Sequence, residues 1–89
     1  MAVIQNKDQQ HELVLRLRRI EGQLRGIQAM IERGADCEKI TQQLSASRRA
    51  LDKAFFQVLA CAIRTEPGGA ARSAAERIDH AAKLLAKFG

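Results

Sequence analysis

The residue spacing between Cys37 and Thr65 constrains the fold of this chain more than any other feature. Apolar or small residues recur there in steps of three and four: Cys37, Ile40, Leu44, Ser47, Leu51, Ala54, Val58, Cys61 and Thr65. Such steps place side chains along one side of an α-helix, and a heptad repeat is typical of a helix that packs lengthwise against another helix. We therefore predict one long helix over about residues 37–65.

A series with the same spacing precedes it, beyond a loose arm over residues 1–6. Its members are Leu13, Leu17, Ile20, Leu24, Ile27 and Ile31. Gly34 is suited to end a helix with a left-handed backbone, and Asp36 is suited to cap the next one. We predict the first helix over about residues 7–33.

A third helix is predicted after Pro67-Gly68-Gly69, which interrupts the second one. It covers about residues 70–87, and its buried side is expected at Ala71, Ala74, Ile78, Ala81, Leu85 and Phe88. No stretch shows the alternation of a strand. The fold class is therefore all-α: one domain over residues 1–89, with two long antiparallel helices and a shorter third.

The two long helices are too long for this chain to cover alone. Each would span roughly 40 Å, whereas the chain has only 89 residues and one short additional helix. Burial has to come from other copies of the chain. We expect an obligate oligomer built as a helical bundle, with a symmetric dimer as its unit.

Both cysteines, Cys37 and Cys61, lie on the heptad series of the second helix. They are roughly 36 Å apart along one helix, whereas a disulfide needs its Cα atoms within about 7 Å. In a second copy that runs antiparallel and crosses near Arg49, Cys37 of one chain would meet Cys61 of the other. The sequence thus predicts two equivalent thiol pairs that exist only in a dimer.

The net charge of +5 favours a polyanionic partner. Basic residues concentrate in the two long helices, at Arg16, Arg18, Arg19, Arg48, Arg49 and Lys53. Doubled by symmetry, they would form a positive face of the kind that follows a phosphate backbone; the alternative is a solvated helix face. Three aromatic residues are too few for a single-strand stacking surface, and no groove-reading motif is visible, so duplex DNA is the predicted partner.

Two glycines, Gly22 and Gly26, lie inside the first predicted helix. Each costs about 1 kcal/mol relative to alanine in a helix interior. Close approach of another helix or of a phosphate backbone would account for them. The alternative is a softened helix with no further role.

The opening residues do not form an apolar signal segment, and no apolar run approaches the roughly 20 residues that span a membrane. We therefore expect a cytoplasmic protein without a membrane partner. In that compartment, paired thiols are more often reactive or metal-binding than structural.

Three stretches, Arg16–Gly26, Asp36-Cys37 and Ile40–Ser47, resemble the copper-sensitive operon repressor (CsoR/RcnR) family. These bacterial repressors sense copper, nickel or cobalt, formaldehyde or persulfides, and the resemblance covers about residues 7–66. It implies a three-helix protomer, antiparallel dimers and a tetramer of two dimers. It also implies that operator DNA is bound without inducer and released on sensing.

The same resemblance places DNA contacts on basic residues of the first two helices, here Arg16, Arg18 and Lys53. The sensing residues depart from the family pattern, because Cys37 matches the first cysteine whereas Ala62 and Glu66 replace the histidine and the third ligand. A copper or nickel site without these ligands is disfavoured. The N-terminal proline of the formaldehyde sensors is absent as well.

Persulfide sensors lack that histidine and use two cysteines from different chains, so Cys37 and Cys61 resemble this branch in part. Cys37 follows the predicted cap at the positive end of a helix dipole, which favours a thiolate. Our hypothesis is that an oxidant or sulfane-sulfur donor modifies Cys37 and that the partner's Cys61 closes a link, which weakens DNA binding. The alternatives are a small core residue for Cys61 and an unreactive boundary residue for Cys37.

Two other functions remain open. One is a metal-responsive repressor of the same fold, with Cu(I) held by Cys37 and the partner's Cys61 and no other cofactor. The other is a helical assembly protein that binds no DNA. His11 and His80 are interpreted as surface residues, and an enzyme is disfavoured because no histidine lies near Cys37 in the sequence.

Overall fold

A computed structural model describes residues 3–64 and 73–89 as three helices and no strand. They are α1 (Lys7–Glu32), α2 (Cys37–Arg64) and α3 (Ala74–Phe88). The predicted all-α, three-helix fold is thus confirmed, and Thr65 lies outside the described residues. α1 and α2 form an antiparallel hairpin, since Leu13 near the start of α1 shares a groove with Cys61 near the end of α2.

The turn between α1 and α2 forms where the sequence predicts it. Gly34 adopts a left-handed backbone with φ of 73°, and its amide donates to the carbonyl of Ile31 at 3.1 Å. The Asp36 carboxylate then accepts from the amides of Glu38 and Lys39 at 3.1 and 3.3 Å. These bonds satisfy amide groups that the first turn of α2 leaves without a helical partner.

The third helix begins at Ala74, later than the predicted start near residue 70. Ser73 has an extended backbone and its hydroxyl oxygen accepts from the amide of Glu76 at 3.2 Å, so it caps the helix. The predicted positions 70–72 lie outside the described residues. The expected buried side of α3 is also wrong for the single chain, because α3 contains no buried residue and Ile78 is 71% exposed.

The heptad series of α2 divides into two rows. Ser47 and Ala54 are buried against α1, and the Ser47 hydroxyl donates to the side-chain oxygen of Gln23 at 3.3 Å. The other row, at the intervening heptad positions, is exposed. α1 divides in the same way, since Leu13, Ile20 and Ile27 are at most 9% exposed whereas the residues four positions after each are open.

We call the two exposed rows together the open stripe. It consists of Leu17, Leu24 and Ile31 of α1 and Leu44, Leu51 and Val58 of α2, which are between 38% and 57% exposed. The hairpin brings the rows side by side: Leu17, Leu51 and Val58 line one groove of about 530 Å³ that α3 borders through Leu84 and Phe88. The two rows therefore share one apolar surface in the part of the hairpin that this groove covers.

The single chain buries less of itself than a compact protein of its size does. Its accessible surface is 6972 Å², whereas a compact monomer of 9.9 kDa exposes about 5,200 Å². Its radius of gyration is 17.4 Å, against about 12 Å for a compact domain of this length. The expectation that other copies of the chain supply further contacts stays a prediction.

Gly22 and Gly26 face open space within the chain. A Cβ atom built on either would meet no atom within 4 Å. No close approach inside the protomer explains them, which leaves an external partner or a softened helix.

Substitution of two glycines should have opposite effects on stability. Gly34→Ala should lower the free energy of unfolding by about 1 kcal/mol, because a residue with a Cβ is strained at positive φ. Gly22→Ala should raise it by about 0.5–1 kcal/mol, because alanine loses less backbone entropy in a helix. Urea unfolding followed by circular dichroism, at equal protein concentrations, measures both. Equal effects of the two substitutions would contradict this account of the turn.

Candidate functional site

Cys37 is the first residue of α2, and it is exposed. Its carbonyl accepts from the Thr41 hydroxyl at 2.8 Å, so its backbone is fixed in the first helical turn. The thiol lies seven residues before Leu44 and therefore continues the open stripe at its end. Cys37 is thus accessible to a reagent and close to a surface on which another chain can pack.

Cys61 continues the row of α2 that contains Ser47 and Ala54, and it is half-buried. Its thiol donates to the carbonyl of Val3 at 3.5 Å. Val3 and Ile4 therefore form part of the site, although the sequence predicted a loose arm there. The missed signal is this apolar pair just before Asn6, whose side chain caps α1 by accepting from the amide of Gln9 at 3.0 Å.

The two thiols lie on different sides of α2. At about 100° per residue, Cys61 is turned roughly 120° from Cys37, whereas Ala62 is turned only about 20°. Ala62 accordingly lines the open-stripe groove with Leu51 and Val58. Neither cysteine forms a disulfide within the chain, and the pairing of Cys37 with the partner's Cys61 stays a prediction.

Two of the predicted DNA-binding residues come together across the hairpin. Arg16 of α1 and Lys53 of α2 line a second groove of about 530 Å³, together with Cys61 and Arg64. We call it the basic groove. Among the described residues that line it there is no aspartate or glutamate, and Arg16 is half-buried with an Nε atom that has no hydrogen-bond partner in the described part of the chain. The groove therefore offers positive charge and an unused donor to an anion.

The other four predicted DNA-binding residues are exposed and divide into two pairs. Arg19 lies one turn from Arg16, and Arg49 lies one turn from Lys53, so these two extend the side of the hairpin that bears the basic groove. Arg18 is turned roughly 160° from Arg16 around α1, and Arg48 about 140° from Lys53 around α2. The six residues therefore do not form one face.

Arg64 is a member of the basic groove that the sequence analysis missed. The steps of four, three and four that join Lys53, Gln57, Ala60 and Arg64 are the signal, because all four line the groove. The pattern was hard to recognise because a polar and a small residue, Gln57 and Ala60, lie between its two charged members.

Within the described part of the chain, no three histidine, cysteine, aspartate or glutamate side chains cluster in a way that could hold a metal ion. His11 is exposed and His80 is half-buried on α3, and neither lines the basic groove. Glu66 lies outside the described residues. A metal site in this chain would have to draw ligands from a second copy or from the undescribed segments.

Of the helices within residues 3–64 and 73–89, none combines the length and the apolar character that crossing a membrane requires.

Comparison with known proteins gives two matches of different extent. A family model described as a metal-sensitive transcriptional repressor matches residues 9–87. A relative from Serratia marcescens, described as an uncharacterized protein in the bioA 5′ region, is 38% identical over 50 residues. That alignment covers 56% of this chain and 55% of the relative, so the chain spans about half of that protein's length. Because the family model covers most of the chain, the chain belongs to the family of metal-sensitive transcriptional repressors, which is a family of regulators and not of enzymes.

Proposed function

We propose that this protein is a homo-oligomeric repressor that binds operator duplex DNA and leaves it when its thiols are modified. The observation that carries the proposal is that Arg16 and Lys53 line one groove whose described lining residues include no aspartate or glutamate. Arginine and lysine side chains bind phosphate oxygens, and the family membership supplies the regulatory context.

The open stripe supports association with a second copy. Six exposed large aliphatic side chains at heptad spacing are costly to leave in water. A twofold axis would lay two such stripes against each other as a four-helix bundle. Ile78 and Leu85 of α3 are exposed as well. A second apolar surface of this kind supports the tetramer of two dimers that the family resemblance implies.

In such an assembly the basic groove would occur once in each protomer. Arg16 and Arg19 on α1 and Arg49 and Lys53 on α2 would then repeat by symmetry along the outside of the bundle. Repeated cations at fixed spacing suit the two backbones of duplex DNA, through phosphate contacts and shape. Gly22 and Gly26, which face open space, would allow close approach of that backbone.

The switch that we propose is an exchange of sulfur bonds. The Cys37 thiolate attacks the outer sulfur of a persulfide RSSH; the Cys37 persulfide forms and the thiol RSH leaves with the proton. The thiolate of the partner's Cys61 then attacks the Cys37 sulfur atom, forms a disulfide and expels hydrosulfide. The inducer supplies the oxidising equivalents, because its sulfane sulfur is reduced to hydrosulfide.

This link would disturb the basic groove. To reach Cys37 of another chain, the Cys61 thiol has to leave the carbonyl of Val3 and turn toward the open stripe. Cys61 lines the same groove as Arg16 and Lys53, so a rotation of this part of α2 changes the distance between the two cations. DNA binding and thiol modification would thereby exclude each other.

A metal-responsive repressor is the second candidate, because the description of the matching family names metal sensitivity. Two thiolates suffice for Cu(I), so Cys37 and the partner's Cys61 could hold it at the same dimer interface. The two candidates differ in whether the sulfur atoms end up bonded to each other or to the metal.

The oligomer should depend on the open stripe. Leu51→Asp should dissociate it, because the substitution places a charge in the apolar interface, whereas Gln42→Asp on the opposite side of α2 should not. Analytical ultracentrifugation gives the mass of each variant, and circular dichroism shows whether its helices remain. An unchanged oligomer for helical Leu51→Asp would contradict the proposed interface.

Binding to DNA should require the two cations of the basic groove. Arg16→Gln and Lys53→Gln should each weaken DNA binding roughly tenfold. Each should also reduce the slope of the logarithm of affinity against the logarithm of salt concentration by about one for every protomer that contacts the DNA. Fluorescence anisotropy at several salt concentrations, with duplex DNA from the region upstream of the protein's own gene, measures both quantities. Arg77→Gln on α3 is the matched control. Absence of salt-dependent binding by the unaltered protein would instead support the assembly protein.

Persulfide treatment should produce a covalent dimer and release DNA. Non-reducing mass spectrometry should identify two peptides, one with Cys37 and one with Cys61, joined by a disulfide. Cys37→Ala should give no such pair of peptides. In Cys61→Ser the reaction should stop at the Cys37 persulfide. Peroxide and formaldehyde are applied separately for comparison. Release of DNA by stoichiometric Cu(I), together with inertness toward persulfide, would overturn the thiol switch in favour of the metal-responsive repressor.

A further inference from the structure

The basic groove is also a cavity of the size that small molecules occupy. Its volume of about 530 Å³ lies within the range of about 300–1,000 Å³ that is typical of ligand sites. A cavity of this size is not needed for contact with a phosphate group on the outside of a duplex. The chemistry of the lining residues determines which small molecule the groove would recognise.

The cations of the groove select an anion. Arg16, Lys53 and Arg64 line it, and none of the other lining residues within 3–64 and 73–89 is acidic. The Arg16 Nε atom is buried and has no hydrogen-bond partner in the described part of the chain, which is unfavourable for a donor withdrawn from water. A carboxylate on the ligand would accept from this donor and offset that cost.

The remaining walls favour a molecule with an apolar part. Ile4 and Leu13 line the groove, as does Phe56, whose ring is 54% exposed. Burial of exposed aromatic and aliphatic surface is favourable at about 25 cal/mol per Å². The groove thus combines a cationic part with apolar walls.

Cys61 brings a nucleophile to this cavity. It lines both the basic groove and an adjoining groove of about 300 Å³ that the arm residues Val3 and Asn6 border. The hydrogen bond from its thiol to the Val3 carbonyl holds the sulfur atom at the junction of the two grooves. A ligand in the basic groove would therefore present its own atoms to this sulfur.

The basic groove would stay open in the proposed dimer. Lys53 and Phe56 line it, whereas Leu51 and Val58 belong to the open stripe. At about 100° per residue, Lys53 is turned roughly 160° from Leu51 around α2, so the groove and the open stripe occupy opposite sides of the helix. A partner on the open stripe does not cover the groove.

We propose that the basic groove binds a small organic anion that contains a sulfur–sulfur bond, a carboxylate-bearing disulfide or persulfide, and that Cys61 attacks it directly, as a second point of reaction with the inducer in addition to the attack by Cys37. This inference rests on the proposed function and names the chemical class of its inducer. The Cys61 thiolate attacks one sulfur, the ligand's S–S bond breaks, a mixed disulfide (or, from a persulfide, a Cys61 persulfide) forms, and the remaining fragment leaves as a thiol with the proton. The carboxylate of the bound ligand would occupy Arg16 and Lys53, the two cations that the proposed binding of DNA also requires.

Two disulfide reagents of opposite character test the proposal. In Cys37→Ala, only Cys61 reacts, and its rate is measured with dianionic 5,5′-dithiobis(2-nitrobenzoate) and with uncharged 2,2′-dithiodipyridine by the absorbance of the released product. Arg16→Gln and Lys53→Gln should each slow the anionic reagent about tenfold and change the uncharged one by less than about twofold. Arg77→Gln should alter neither rate.

The matching measurement at the other thiol separates a local from a general charge effect. In Cys61→Ala, only Cys37 reacts. In that background, Arg16→Gln should leave the ratio between the rates of the anionic and the uncharged reagent unchanged. Equal slowing of both reagents at Cys61, or no slowing of either, would overturn the proposal. Because the assay contains no DNA, a positive result stands even where operator binding fails, and a negative one does not affect the repressor assignment.

Discussion

The packing of α1 against α2 is the contact on which the rest of the structure depends. Each helix offers two apolar rows at heptad spacing, and one helix can cover only one row of the other. Leu13, Ile20 and Ile27 therefore become buried against Ser47 and Ala54, while the second rows remain exposed as the open stripe. The same contact sets the register that brings Arg16 beside Lys53. Folding of the hairpin thus creates the surface for association and the basic groove on its other side.

Much of this architecture follows from local sequence patterns. The steps of three and four predicted both long helices, and the roles of Gly34 and Asp36 in the turn are confirmed. Those features depend on residues close together in the chain, so a pattern can reveal them. The start of α3 was missed because Ser73 caps the helix after the glycines, and propensity alone does not distinguish a cap from a first helical turn.

The candidate site was harder to predict because it depends on helix rotation and on contacts between distant segments. Heptad spacing alone does not distinguish the two rows of α2. Cys61 and Ala62 are neighbours in the sequence, yet Cys61 lines the basic groove and Ala62 lines the groove of the open stripe. Which row faces α1 is decided by side-chain volume, since the small residues Ser47 and Ala54 allow close packing. Likewise, the bond between Cys61 and Val3 joins residues that are 58 positions apart in the sequence, so local periodicity does not reveal it.

The division into two rows has a consequence for how the length of such a chain can change during evolution. One residue inserted within α2 would turn every later side chain by about 100°. Ala54 would leave the α1 contact, the stripe would be interrupted, and Lys53 would move away from Arg16. Insertions and deletions should therefore accumulate in the turn between α1 and α2 or beyond α3, and the two long helices should keep a constant number of residues.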